Sequence, residues 1–267
     1  MSDRYKEFEE DFSKSTTGAE KLAKEQRKIS TKVRNRAIKN HLMTGLDTDY
    51  VWPIYDGVAD TESYLSMKPQ IMFVIKEPYD DSIIDEQGRK VPYGGGWGFP
   101  ELLKKQSEDR HWPIRTWQRV IYALYGYRNG KHYQEMDYIR KNPEMGNVLL
   151  DICWINLSKM PGLTSSSNKK WLDGFKNNWS DIFLEQINLY NPDVIVFAGT
   201  FEAASSYIMD STNNGETIWS NDGRLSLTKY HHNGRLILAA AHPGIRHNVE
   251  FWVDSIIDAL HDFHNTI

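Results

Sequence analysis

A chain of 267 residues, 40% of them apolar, is long enough to bury a substantial core, and its formal net charge of −4 exerts no overall pull toward a polyanion. Its single cysteine, Cys153, excludes an intramolecular disulfide and any zinc or iron–sulfur site built from cysteines, which suits a reducing, intracellular setting. The opening residues MSDRYKEFEEDF are charged where a signal peptide needs an apolar core, and no stretch approaches the roughly 18 apolar residues of a membrane span, so a cytoplasmic protein is expected.

Residues 1–45 read as a polar helical extension, and residues 46–267 as one catalytic-sized domain. The extension holds the basic segment from Lys21 to Lys39, with eight Lys or Arg against the single acid Glu25; this leaves +7 there and −11 elsewhere. Such an excess attracts phosphates through counterion release, which makes Arg27, Lys28, Lys32, Arg34 and Arg36 candidate nucleic-acid contacts. A basic helix packed on an acidic surface of the same molecule is the competing reading. Leu22, Ile29, Val33 and Ala37 fall at near-helical spacing and could dock one side of it.

Pro69 to Val74 (PQIMFV) is a short continuous apolar run and reads as a buried strand. A long loop follows, ending in three glycines before a helix over Pro100 to Lys105, and a loop of that length carries function or is disordered. Pro113 to Tyr125 has helical periodicity, Val148 to Asn156 reads as a second strand, and about Asp173 to Leu189 as a helix. Asn191 to Gly199 is a third strand with a helix from Thr200 to Ile208, Arg235 to Gly244 contains a fourth, and Asn248 to Phe263 is the last helix. Apolar strands alternating with helices predict a three-layer α/β/α sandwich around a mainly parallel four-stranded sheet.

In such sheets ligands bind at the carboxyl ends of the strands. Those ends carry Lys76 to Tyr79, Asn156, Gly199 with Thr200, and His242 to Gly244. Singly, Glu77 reads as a surface acid, Asn156 as a turn former and His242 as a core or capping histidine. Together they place a carboxylate, an amide and an imidazole on one edge.

The set IKEPY at Ile75 to Tyr79, WINL at Trp154 to Leu157, PDVIVFAG at Pro192 to Gly199 and AHPG at Ala241 to Gly244 resembles the uracil-DNA glycosylase superfamily, in order and spacing, over roughly residues 50 to 265. The resemblance implies that fold, a DNA partner, a monomer and no cofactor or metal. It places Glu77 at the catalytic acidic position, Tyr79 at the aromatic walling the 5-position of the base, and Asn156 at the amide reading the base edge. His242 takes the position of the histidine that stabilises the departing base. Phe99 resembles the aromatic on which a flipped base stacks, with Trp97 as its rival. In the loop GIRHN, Ile245 stands where a side chain enters the DNA stack and Arg246 where a phosphate or orphan base is met, although Ile245 could equally seal the helix that follows. Lys159, Lys169 and Lys170 are candidate phosphate contacts, indistinguishable in sequence from plain surface loop.

The chemistry agrees. Breaking an N-glycosidic bond builds positive charge on the sugar and negative charge on the leaving base. Glu77 would face the first and orient a water; His242 would donate to the base carbonyl; Asn156 offers both a donor and an acceptor. Two departures point to a divergent substrate: Ile75 stands where most of the family has glycine, and the acid is Glu rather than Asp. The expectation is a glycosylase that leaves an abasic site at a damaged or modified base, such as a modified cytosine of phage DNA removed in antiviral defence. Uracil excision in base-excision repair, an inactive DNA-binding module of the same fold, and a hydrolase of free nucleosides are the alternatives.

Overall fold

The computed structural model describes residues 18–43, 51–162, 170–210 and 214–266. Its centre is a mixed seven-stranded sheet with helices on both sides. In spatial order the strands are β1 (Gly57–Val58), β5 (Cys153–Asn156), β2 (Ile71–Ile75), β6 (Val194–Ala198), β9 (Arg235–Ala240), β8 (Ser226–His232) and β7 (Glu216–Trp219). The four strands expected from sequence lie side by side and parallel, as β5-β2-β6-β9. Both of their faces are covered, so each reads as an unbroken apolar run. The period of two nevertheless sorts them. Phe73, Ile75, Val196 and Leu238 enter one core, while Met72, Val74, Ile195 and Phe197 enter the other.

The expected four-stranded sheet is thus corrected to seven strands. β7 and β8 form an antiparallel edge whose residues are largely half-exposed or exposed, so they lack the apolar run that betrays a buried strand. β1 is only two residues long. The long loop after β2 contains a separate hairpin, β3 (Asp81–Ile84) with β4 (Lys90–Tyr93). The second expected strand also starts later than its apolar run, because Pro143–Leu149 is a 3-10 helix and Asp151, between the two, is held by Arg128. An apolar run alone does not tell helix from strand.

One core is roofed by α3 (Phe99–Glu108), α4 (Arg115–Asn129) and α8 (Val249–His264), the last two packing together. Over the other lie α1 (Gly18–Lys39), α2 (Thr61–Ser66) and α6 (Ser180–Tyr190). A short α5 (Lys170–Gly174) runs through a π turn, Phe175–Trp179, into α6, and α7 (Phe201–Ala204) follows β6. Leu22, Ile29, Val33 and Ala37 of α1 are all buried. Gln26 keys this helix to the sheet edge. Its side-chain amide donates to the Val58 carbonyl (3.0 Å) and accepts from the Val58 N–H (2.8 Å), replacing the strand that β1 lacks on that side.

Candidate functional site

Parallel strands deliver their carboxyl ends to one edge, and the hydrogen bonds there tie the expected segments together. Ile75 is in register with Asn156, and Ala198 with Ala240. Ser158 N–H donates to the Lys76 carbonyl (2.8 Å), Thr200 Oγ1 to the Val74 carbonyl (2.7 Å), and Gly199 N–H to the Ala240 carbonyl (2.7 Å). Gly199, at φ 78°, sits against the side chain of His242. Its left-handed backbone turns the chain out of β6 beside the imidazole.

Glu77 is half-buried at the end of β2. Gly162, whose N–H donates to the Pro78 carbonyl (2.8 Å), gives it room: a Cβ at 162 would stand 2.6 Å from Glu77 Oε1. Burial pushes the carboxyl above its ordinary value, and the Lys76 charge and a hydrogen bond from the Tyr79 hydroxyl pull the other way. The same contact, with burial as the larger cause, pushes the Tyr79 hydroxyl up to about 12.

His242 is partly buried, and burial, with the charges of Lys76 and Arg119 adding to it, lowers its pKa to about 4. The ring is therefore neutral at neutral pH. Gly244 N–H donates to Nδ1 (3.0 Å), so the ring proton resides on Nε2. That N–H has no partner among the described residues.

Asn156 is wholly buried, and among the described residues neither its amide nitrogen nor its amide oxygen has a hydrogen-bond partner. A buried unsatisfied polar atom costs about 1–3 kcal/mol. The backbone of the same residue is firmly held, its N–H by Asp56 Oδ2 (2.7 Å) and its carbonyl by Lys159 Nζ (2.7 Å).

Lys159 corrects the phosphate-contact expectation. It is 0% exposed, and its ammonium group also meets Asp56 Oδ2 (2.6 Å) and Gln186 Oε1 (2.9 Å), so no donor is left for DNA. Gln186 in turn donates to Asp56 Oδ1 (2.7 Å), which completes a buried polar network that pins the end of β5.

Phe99 is buried too. It is a core residue, 5% exposed, with Trp154 stacked at 5.8 Å and Trp97 tilted against it at 5.1 Å. Trp97 is the partly exposed ring of the pair, and its indole N–H donates to Asp80 Oδ2 (2.8 Å), which also accepts from Gly95 N–H (2.6 Å). The glycines Gly94, Gly95 and Gly96 all have positive φ, and a Cβ at Gly95 would meet the Trp52 carbonyl oxygen at 2.0 Å, so this close approach admits no side chain.

Ile245 is partly buried and packs against the core roofed by α4 and α8, as a helix-sealing side chain does, whereas Arg246 is exposed. Lys169 and the side chain of Lys170 lie outside the described residues. In α1, Lys32 pairs with Glu185 and Arg36 with Asp181, both on α6, so these two cations are engaged by the body. Lys28 pairs within the helix with Glu25 (2.7 Å), Arg34 stacks over Trp52 at 5.9 Å, and Arg27 is exposed.

Asp56, Gln186, Gly162 and Arg119 were not expected from sequence. Arg119 is 4% exposed in α4 and donates from Nη1 to the Pro243 carbonyl. A cleft of about 570 Å³ opens beside the edge, bounded by Trp171, Gly199, Phe201, Arg224, Tyr230 and Ala241. Among the described residues no cluster of His, Cys, Asp or Glu could hold a metal ion, and no helix is long and apolar enough to cross a membrane. No protein-family model matches the chain, and no curated protein or solved structure matches it.

Proposed function

We propose that this chain is a divergent uracil-DNA-glycosylase-like enzyme that hydrolyses the bond between a flipped base and its deoxyribose. The observation that carries the reading is His242: a neutral imidazole whose Nδ1 is occupied by Gly244 N–H and whose Nε2–H is left to donate. It stands on the same edge as a half-buried carboxylate and a buried amide whose two hydrogen-bonding atoms have no partner among the described residues. The strand order β5-β2-β6-β9 supports the reading by putting these groups on adjacent strand ends.

In the reaction, the C1′–N bond breaks as its electron pair passes to the base, and His242 Nε2–H hydrogen-bonds the base carbonyl that gains negative charge. One preorganised donor of this kind is worth about 3–4 kcal/mol. Glu77 faces the cationic sugar and orients the water whose oxygen joins C1′ and whose proton the carboxylate accepts. Asn156 reads the hydrogen-bonding edge of the base, and Trp97 supplies a stacking surface. Exposed Arg246, and Arg27 on α1, meet the phosphates. The replaced glycine at Ile75, the longer acid and the hairpin inserted before the glycines favour a damaged or modified base, such as a modified cytosine of phage DNA, over plain uracil.

A second reading, a DNA-binding module without chemistry, is favoured by one observation: Asn156 is fully buried and Phe99 is closed in by rings, so a base enters only after Trp97 and its loop move. Incubating the protein and its Glu77→Gln variant with oligonucleotides carrying uracil, hypoxanthine, mismatched thymine or modified cytosines separates the two. The enzyme makes alkali-sensitive sites that the variant does not; the module binds DNA and makes none.

A further inference from the structure

Arg119 is a buried cation without an acid. It lies in the second turn of α4, is 4% exposed, and has one hydrogen bond among the described residues, from Nη1 to the Pro243 carbonyl. No carboxylate among those residues is within ion-pair distance of it. Burial therefore lowers its pKa, as does the neighbouring Arg115 one turn earlier. The one fixed contact of Arg119 among the described residues is therefore with a backbone carbonyl and not with an acid.

The peptide unit that it grips suggests a role. The carbonyl of Pro243 and the N–H of Gly244 are the two ends of a single peptide group, and that N–H donates to His242 Nδ1 (3.0 Å). The loop is anchored on either side by Trp252 Nε1, which donates to the Ala241 carbonyl (2.8 Å), and by Ile245 N–H, which donates to the His242 carbonyl (3.1 Å). A cation on the oxygen of a peptide withdraws electrons from it and strengthens its N–H as a donor.

We infer that Arg119 is a positioning residue which, by clamping the Pro243–Gly244 peptide, fixes the His242 ring in the Nε2–H tautomer and keeps it from taking up a proton. The charged groups facing the ring are Lys76 at the end of β2 and Arg119 on α4, and both oppose a second positive charge. The same arrangement favours negative charge beyond Nε2, where the departing base would lie; this last step rests on the glycosylase reading, the clamp itself does not.

The test uses the full chain labelled with ¹⁵N, its histidine nitrogens read by NMR over a pH series, in wild type, Arg119→Met and Arg119→Lys. Expected is an Nε2–H ring in wild type that stays neutral to near pH 4. In Arg119→Met the midpoint should rise by a fraction of a pH unit, about 0.5, because burial and Lys76 are the larger causes of the depression and remain. Arg119→Lys, which keeps the charge but loses the fork, should fall between. With a substrate in hand, Arg119→Met should lower kcat by about 10- to 100-fold while KM stays within about twofold. An Nδ1–H ring in wild type, or titration unchanged in Arg119→Met, overturns the inference. If Arg119→Met does not fold, the wild-type tautomer and the Arg119→Lys titration decide. Wild type that releases no base from any substrate but titrates as described removes the glycosylase reading and leaves the clamp standing.

Discussion

Replacing Asn156 with leucine should make the protein more stable and inactive at once. The side-chain amide is 0% exposed and neither of its polar atoms is hydrogen-bonded among the described residues, while the anchors from Asp56 and Lys159 use the backbone of the residue and survive the change. Leucine has nearly the same shape and removes the unsatisfied donor and acceptor, each of which costs about 1–3 kcal/mol when buried. Part of that gain is lost to imperfect fit, so the expected increase in unfolding free energy is about 1–3 kcal/mol. Urea denaturation with wild type alongside measures it, and an abasic-site assay on the best substrate measures the accompanying loss. A polar group kept at a cost in stability is expected where function needs it. A destabilisation of more than about 1 kcal/mol would show that the amide is satisfied in solution, and unaltered base release would show that it reads nothing; either refutes the reasoning.

Lys159→Met should destabilise by about 3–5 kcal/mol, because Asp56 keeps its charge in a dry site, yet the salt dependence of DNA binding should not change. Gly162→Ala should leave the fold intact and lower the rate by about 100-fold, since the added methyl displaces the Glu77 carboxylate, and thermal melting beside kinetics separates the two effects. The rate should rise with pH through the upward-shifted pKa of Glu77 and then stay level, with no step near 6.5. Stability carries the signature of a depressed histidine: below 6.5 the unfolded chain takes up a proton that folded His242 refuses until about 4. Over that window the folded state loses about 3 kcal/mol from this group. Urea titrations of wild type against His242→Gln between pH 7 and 4 isolate this contribution, and a difference independent of pH would contradict it.

The parallel core was legible because strands buried on both faces leave continuous apolar runs, and the strand ends then named Glu77, Asn156 and His242 by topology alone. What the pattern could not show was charge buried against the rule. Arg119 sits beside Gln118 and Lys159 follows Ser158, so both read as surface residues, and their partners Pro243, Asp56 and Gln186 lie 27 to 124 positions away in the chain. The half-exposed strands β7 and β8 were hidden for the opposite reason, since one wet face dilutes the apolar signal. The basic segment of α1 was visible as charge, but its apolar spacing proved the better guide: one face is buried, and Lys32 and Arg36 answer acids on α6.

The measurement that bears most directly on the central claim is the release of base from DNA by wild type beside Glu77→Gln and His242→Gln. The account predicts abasic sites on at least one modified or damaged substrate, lost in Glu77→Gln and reduced by about 100- to 1,000-fold in His242→Gln, while DNA affinity is kept. Salt-sensitive DNA binding with no base released from any substrate, or release that survives Glu77→Gln, would contradict it.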